Sequence, residues 1–239
     1  MVTDSNDLIW IFGGYNPSYG PLQDIRAFDA TTNSFKVFTI HSQQLNSHPD
    51  ARFFHAASFS PLTNNMYIYG GMNLHSYFAD FWKLDLVKLE WIQLETDYEE
   101  RSLRVVSGHR EKLDRTPSLA AHTLTFNQDS KTLILVGGYS PVSGYNQNIL
   151  EYNLMEETWK NIPTTGFGPR GIYGHTTVYN SASKTFYVFG GNVFHVNSSF
   201  ISNKLWTFHY PTKTWSIVPF DPHHSKVNDL IAFSLSTCC

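Results

Sequence analysis

The pair Gly-Gly occurs four times in this 239-residue chain, at 13–14, 70–71, 137–138 and 190–191. Each time it closes a short apolar run: "LIWIFGG", "MYIYGG", "LILVGG" and "FYVFGG". In three of the four, a histidine stands fifteen residues before the first glycine: His55, His122 and His175. An aromatic follows each pair, Phe35, Trp91, Trp159 and Trp215, at 21, 20, 21 and 24 residues after the second glycine. Six residues before each of these aromatics stands Asp29, Asp85, Asn153 or His209. A set of residues that returns in one order at nearly one spacing is a module used four times, and that period governs what the chain can fold into.

Each unit holds four segments of strand length, rich in β-branched and aromatic residues and separated by Gly, Pro, Asn or Ser. In the last unit they are "YGHTTVY", "TFYVFGG", "KLWTFHY" and "KTWSIVPF". The second segment is apolar at every position, as expected of a strand buried on both faces. Four-stranded sheets stacked face to face around an axis bury both faces. The expected fold is therefore all-β, a β-propeller with four recognisable four-stranded blades of the kelch type. Blade 1 is expected at about 7–40, blade 2 at about 50–95, blade 3 at about 116–163 and blade 4 at about 169–220, within a propeller region of 1–222. The first unit shows no obvious innermost strand before "DLIWIFGG". Either the chain is a fragment of a larger ring, which is the expectation, or the tail 223–239 with "NDLIAFSLS" supplies a closing strand. The inter-blade segment 95–115 carries 11 of the 37 charged residues and reads as a solvated loop, with binding as its second use.

The repeat also decides how the motifs are read. His175 ahead of Gly190 and Gly191 could, seen alone, be a general base beside a phosphate loop. A residue present once per blade serves the blade, so His55, His122 and His175 are expected in the innermost strands, pairing with backbone groups of the adjacent blade. The glycines Gly13, Gly14, Gly70, Gly71, Gly137, Gly138, Gly190 and Gly191 are expected to free the backbone for unusual φ and ψ. Their expected neighbour is the repeat's own tryptophan. A phosphate site would need further glycines and a helix N-terminus, and "FGGNVFHV" and "VGGYSPVS" have neither. There is no G-x-S-x-G elbow and no H-E-x-x-H. His41, His48, His223 and His224 lie in polar stretches and read as solvated. No catalytic residue, cofactor or metal site is expected.

A net charge of −3 with 17 Lys and Arg leaves no basic stripe for a phosphate backbone, so nucleic acid is not an expected partner. No apolar stretch approaches the ~18 residues of a membrane span, and no membrane insertion by the chain itself is expected. Cys238 and Cys239, adjacent and terminal, are the only cysteines and form neither a disulfide framework nor a zinc site. Asn197 in "NSS" is the one glycosylation sequon. Function is expected in the loops between the second and third strands, which share a face with the blade-to-blade connections. These hold Tyr15, Tyr19, His75, Tyr77, Tyr139, Tyr145, Phe194 and Phe200. Loop aromatics are the composition of a protein-binding surface, and equally of loops anchored inward.

Three stretches are more particular than the generic repeat: "GGYSPVSGYNQNILEYNLMEETW" (137–159), "GIYGHTTVYNSASKTFYVFGG" (171–191) and "WIFGGYNPSYGPLQDI" (10–25). They resemble the kelch propeller of attractin and the multiple-EGF-like-domain proteins, over roughly 8–220. That family comprises large single-pass membrane glycoproteins joining the propeller to CUB, EGF-like, plexin-type and in some members lectin domains. The resemblance implies a non-catalytic extracellular module of a cell-surface glycoprotein that binds proteins in receptor signalling or adhesion. The chain departs from it in having no EGF cysteines, no membrane span and few repeats. An intracellular kelch scaffold or substrate adaptor, with a cytoplasmic location, is the alternative. A kelch enzyme is a third reading, disfavoured because a copper oxidase of that kind needs cysteine ligands at the mouth of the ring, and here both cysteines are in the tail.

Overall fold

The computed structural model describes residues 1–38, 40, 48–106, 109–195 and 198–219. Every regular element among them is a strand. Four antiparallel sheets, each in sequence order, form the four blades of a β-propeller. Blade 1 runs Val2–Thr3, Leu8–Asn16, Gly20–Asp29, Ser34–Val37, and blade 2 runs Ala56–Ser60, Asn65–Tyr69, Phe81–Asp85, Glu90–Leu94. Blade 3 runs Thr123–Asn127, Thr132–Val136, Ile149–Asn153, Thr158–Ile162, and blade 4 runs Ile172–Asn180, Thr185–His195, Leu205–His209, Thr214–Ile217. The innermost strands neighbour one another in series from blade 1 to blade 4.

Local chemistry sets the hairpins. All eight turns between first and second or third and fourth strands contain one residue with positive φ: Asp7, Asn64, Lys131, Lys184, and Asn33, Leu89, Glu157, Lys213. The polar residue opening the turn holds it in shape. Asp29, Asp85, Asn127 and Asn153 each accept backbone N–H bonds from residues two and three further on, and Asp4 accepts them from residues two and four further on. His209 does the same work differently, its Nδ1 lying 2.8 Å from the Thr212 hydroxyl.

Two expectations are revised. Blade 1 has an innermost strand after all, the short Val2–Thr3, paired with Trp10 and Ile9. The segment 95–115 is not a plain loop: Asp97–Val106 and His109–Arg115 pair as an antiparallel hairpin, and Tyr98 pairs in parallel with Trp159 on the outer edge of blade 3. An outermost strand has unpaired backbone groups, and an added strand satisfies them. The tail 223–239 lies outside the described residues.

Packing between blades follows a fixed rule. In each second strand, residues one and three before the first glycine face the next blade, and those two and four before it face the previous one. Thus Trp10 and Phe12 of blade 1 pack with Met66, Ile68 and Trp91 of blade 2. Tyr67 and Tyr69 of blade 2 pack with Leu133, Leu135 and Trp159 of blade 3. Ile134 and Val136 of blade 3 pack with Phe186, Val188 and Trp215 of blade 4. The continuous apolar run is explained, because its alternate residues belong to two different interfaces.

The glycine pairs sit at these seams. The N–H of Gly14, Gly71 and Gly138 donates to the carbonyl of Arg52, Leu119 and Ile172 respectively, at 2.8, 2.8 and 2.7 Å. Each acceptor stands three residues before the next blade's histidine. A Cβ on the first glycine would lie 2.7 Å from the Arg52 oxygen at Gly13, 2.6 Å from that of Leu119 at Gly70 and 2.3 Å from that of Ile172 at Gly137. The expected neighbour is corrected: the next blade's connector fills the space beside the glycine, and the tryptophan reaches across to the preceding blade. Trp91 lies 5.1 Å from Phe12, and Trp159 lies 5.3 Å from Tyr69, ring centre to ring centre.

Gly190 is different, since among the described residues its Cβ would meet only the Ser202 oxygen, at 3.7 Å. Both Gly137 and Gly190 have positive φ, +66° and +74°. Alanine at 190 should therefore cost only the conformational penalty, about 1–2 kcal/mol. Alanine at 137 adds a clash with backbone and should cost about 3 kcal/mol or more. Urea unfolding of the two variants measures the difference; equal losses would contradict this account of the seam.

Candidate functional site

The residues just ahead of each histidine build the floor of a cleft. Phe54, Ala121 and Gly174 have φ of 56°, 55° and 65°. They form a ladder across three blades, in which the Ala121 N–H donates to the Phe54 carbonyl at 2.8 Å and the Gly174 N–H to the Ala121 carbonyl at 2.7 Å. A left-handed phenylalanine is costly and stays only where its surroundings hold it. Here the cross-blade bond and the ring contact with Phe53, 5.1 Å between centroids, do so. Phe54 remains 52% exposed at the cleft mouth.

The walls come from the loops after the glycine pairs. Met72 bridges both Phe53 and Tyr77, and Ala120 bridges Tyr139, so these loops and the blade connectors are joined by backbone pairing on one face. Tyr77, Tyr139, Tyr173, Asn192 and Ile201 complete a cleft of about 330 Å³ among blades 2, 3 and 4, and no lining side chain carries a formal charge at neutral pH. A buried ion pair supports the blade 2 wall. Arg52, fully buried, binds Asp80 through both guanidinium nitrogens at 2.6 and 2.8 Å, donates to the Gly70 carbonyl at 2.9 Å and lies 4.1 Å over the Phe78 ring. Asp80 also accepts from the Trp82 indole at 2.6 Å. Such a multiply satisfied pair fixes the loop carrying Tyr77.

The structure sorts the loop aromatics. Tyr139 and Tyr145 pair across a hairpin of two two-residue strands at 4.6 Å, and Tyr145 stacks on Phe194 at 4.6 Å and 17°. Tyr173 joins this group at 6.0 Å from both tyrosines. Tyr145 also lies against Gly171, where a Cβ would come within 2.8 Å of its own. Burial, then the neighbouring Tyr173 and Tyr139, push the Tyr145 hydroxyl pKa up. Tyr145 and Phe194 are therefore anchors, while Tyr77 and Tyr139 line the cleft. Tyr15 packs on Phe53 with the rings tilted at 5.1 Å and is half exposed, Tyr19 is exposed, and Phe200 lies on a short strand paired with Val193. His75 is exposed in a turn closed by Asn73. Asn197 lies outside the described residues. Sequence reading passed over Phe53, Phe54, Met72, Tyr173 and the Arg52–Asp80 pair. A signal existed for some of them, since Phe53, Phe54 and Tyr173 stand one or two residues before repeat histidines.

The histidines themselves are away from this cleft chemistry, between blades. His55 lies edge-on to Phe12 at 5.4 Å, and His122 to Tyr69 at 5.3 Å. His175 Nε2 is 3.1 Å from the Thr123 hydroxyl of blade 3. Burial lowers the pKa of His55 and His122 from 6.5 to about 3, helped at His55 by the N-terminal amine, Arg52 and His122 and at His122 by His175. Burial lowers that of His175 to about 4, with the Val136 backbone opposing. All three are neutral at pH 7. Among the described residues no group of three or more His, Cys, Asp and Glu could hold a metal ion.

Blades of four strands, sewn at three seams by a glycine pair and with Trp91, Trp159 and Trp215 each crossing to the preceding blade, make this a kelch-type β-propeller. Within that class the chain belongs to the Attractin/LZTR1 beta-propeller family, whose profile matches residues 9–231. It is 35% identical over 219 residues to human Multiple epidermal growth factor-like domains protein 8, a match covering 91% of this chain and 7% of that protein. It is 26% identical over 175 residues to the N-(sulfonatooxy)prop-2-enimidothioate sulfolyase of Thlaspi arvense, 72% of this chain and 46% of the enzyme. Kelch domain-containing protein 10 of Xenopus tropicalis is 26% identical over 157 residues, 64% of this chain and 34% of that protein.

The histidines predict an acid sensitivity whose sign is fixed. Their folded pKa values lie below the ordinary 6.5, so below that pH the unfolded chain binds protons first. The stability from keeping them neutral is whole above pH 6.5 and erodes as pH falls toward about 4 and then about 3. Asp29 and Asp129, whose pKa values are held low by Lys36 and Lys184, add their loss only below the ordinary carboxylate value of 3.8. Urea unfolding from pH 6.5 down to about 4.5 should show stability falling by up to ~1.4 kcal/mol per pH unit for each histidine. A flat profile in that window would show the histidines to be hydrated.

Proposed function

We propose that this chain is a non-catalytic protein-interaction module that works outside the cell as part of a cell-surface glycoprotein, and that it captures partners in the aromatic cleft. The carrying observation is that Phe54, Tyr77 and Tyr139 are presented on one uncharged cleft built by three blades. Rigid aromatic groups around a concave apolar site are what hot spots in protein recognition consist of. The repeated histidines are buried and neutral between blades, so they are poorly placed to act on a bound substrate. The extracellular reading is supported by the relative named for epidermal growth factor-like domains, because such disulfide-dense modules belong to oxidising compartments.

Labelled chain binding to cultured cells tests both parts. Binding should be abolished by prior trypsin treatment of the cells and weakened about 10- to 100-fold by Phe54→Ala or Tyr77→Ala, with melting temperature retained. Tyr145→Ala should instead lower stability, by about 2–3 kcal/mol, because it removes a packed anchor. Binding that survives trypsin or ignores both cleft substitutions would sink the proposal. Glycan on Asn197 in protein from animal cells would support the extracellular location.

A further inference from the structure

The floor of the cleft loses side chain from rung to rung. At the position before each histidine stand Phe54, Ala121 and Gly174, a ring, a methyl group and a hydrogen on the same left-handed backbone. A Cβ on Gly174 would meet nothing within 4 Å. Blade 2 thus fills its rung with its own aromatic ring, and blades 3 and 4 leave the equivalent room open in the cleft that Tyr77, Tyr139 and Tyr173 wall.

The polar capacity of this cleft is one-sided. Much of the backbone around it is already spent. The Phe54 and Ala121 carbonyls accept from the next rung, while Phe53 with Met72, and Ala120 with Tyr139, exchange both of their N–H bonds at 2.9–3.0 Å. Among the described lining residues, the hydroxyls of Tyr77, Tyr139 and Tyr173 and the carboxamide of Asn192 are half-buried and have no hydrogen-bond partner. A phenol donates better than it accepts, because its oxygen lone pair is shared with the ring. The cleft therefore offers chiefly donors, set among carbon and without charge.

We propose that the ligand of the cleft is a proline-rich segment of a partner protein in the polyproline II conformation, an inference that rests on reading the cleft as a protein-binding site. Each proline brings a ring to lie against Phe54 and over Ala121 and Gly174. It also brings a carbonyl that accepts from the tyrosines, and no N–H for the cleft to leave unpaired. A segment of other residues buries an N–H at every position, and each one without an acceptor costs binding. The size agrees. At about 330 Å³ the cleft is at the small end of ligand pockets, which suits a short segment rather than a folded surface. A segment already extended in solution loses little freedom on docking there. A sugar fits less well, since its many hydroxyls would leave water for the carbon of Met72, Ala121 and Ile201.

Nuclear magnetic resonance titration of the isotope-labelled full chain with decaproline, a soluble polyproline II helix, tests this. The amide signals of Ala121 and Gly174 should shift saturably, with a Kd between about 10 µM and about 1 mM, and a glycine-serine decamer should leave them in place. Tyr139→Phe keeps the ring and removes one donor, and should weaken decaproline binding about 3- to 10-fold. Ala121→Phe puts on the blade 3 rung the side chain that blade 2 already carries there, and should weaken binding at least ~30-fold with melting temperature retained. Gly174→Asn, a residue that tolerates left-handed backbone, replaces it if that variant does not fold. No saturable shift, equal binding of the glycine-serine decamer or of an N-acetylglucosamine trimer, or variants that bind like the parent would each overturn the proposal. Cell binding is read separately. If it still depends on Phe54 and Tyr77 while decaproline fails, the protein-binding cleft stands and only its proline ligand falls. If decaproline binds while cell binding survives trypsin, both readings fall.

Discussion

The hydrogen bond from the second glycine of a pair to the carbonyl three residues ahead of the next histidine is the contact on which the other features depend. It brings two backbones together at 2.7–2.8 Å, which no side chain on the first glycine would allow. Once that distance is set, the histidine ring falls against the residue preceding the pair, and the next blade's tryptophan covers the outer part of the same seam. The apolar clusters then form between blades rather than within them. A propeller of this kind is held by its seams, and each sheet is a spacer with two adhesive faces.

The same bond organises the candidate binding face. The connector that supplies the carbonyl continues directly into Phe54, Ala121 or Gly174, and its left-handed turn sends the chain down into the innermost strand. Phe54 and Tyr173 are thereby carried to the cleft. Recognition and architecture are thus adjacent parts of one connector. This is why the cleft can be formed by loops and still be rigid: its floor is a backbone ladder, and one wall is tied by Arg52 and Asp80. The charged hairpin at 97–115 is a different kind of addition. It extends the outer edge of blade 3.

Much of the fold was legible because the repeat supplies its own alignment. The fifteen-residue interval from His122 to Gly137 is the length of a hairpin. The polar residue six before each aromatic marks a turn, and the unbroken apolar run marks a strand with two dry faces. What was missed has a common cause. The glycine's neighbour was assigned to the same repeat because sequence spacing describes contacts within a unit, whereas the contact is made by the following one. The hairpin at 97–115 was hidden because its charges resemble those of a solvated loop. The loop aromatics could not be divided between anchors and cleft, since Tyr77 and Tyr145 differ in what surrounds them and not in any local pattern.

The sequence by itself determined that this is an all-β kelch-type propeller region with four repeated units, and gave the period at which its histidines, glycine pairs and tryptophans return. Those properties follow from residue type and short-range spacing, which a chain carries whether folded or not. Only the tertiary structure decided that the glycine pair contacts the next blade and that Phe54 and Tyr77 share one cleft while Tyr145 is packed beside it. Each of these depends on residues from different blades meeting in space. That proximity is created by the seams and has no counterpart in the order of residues along the chain.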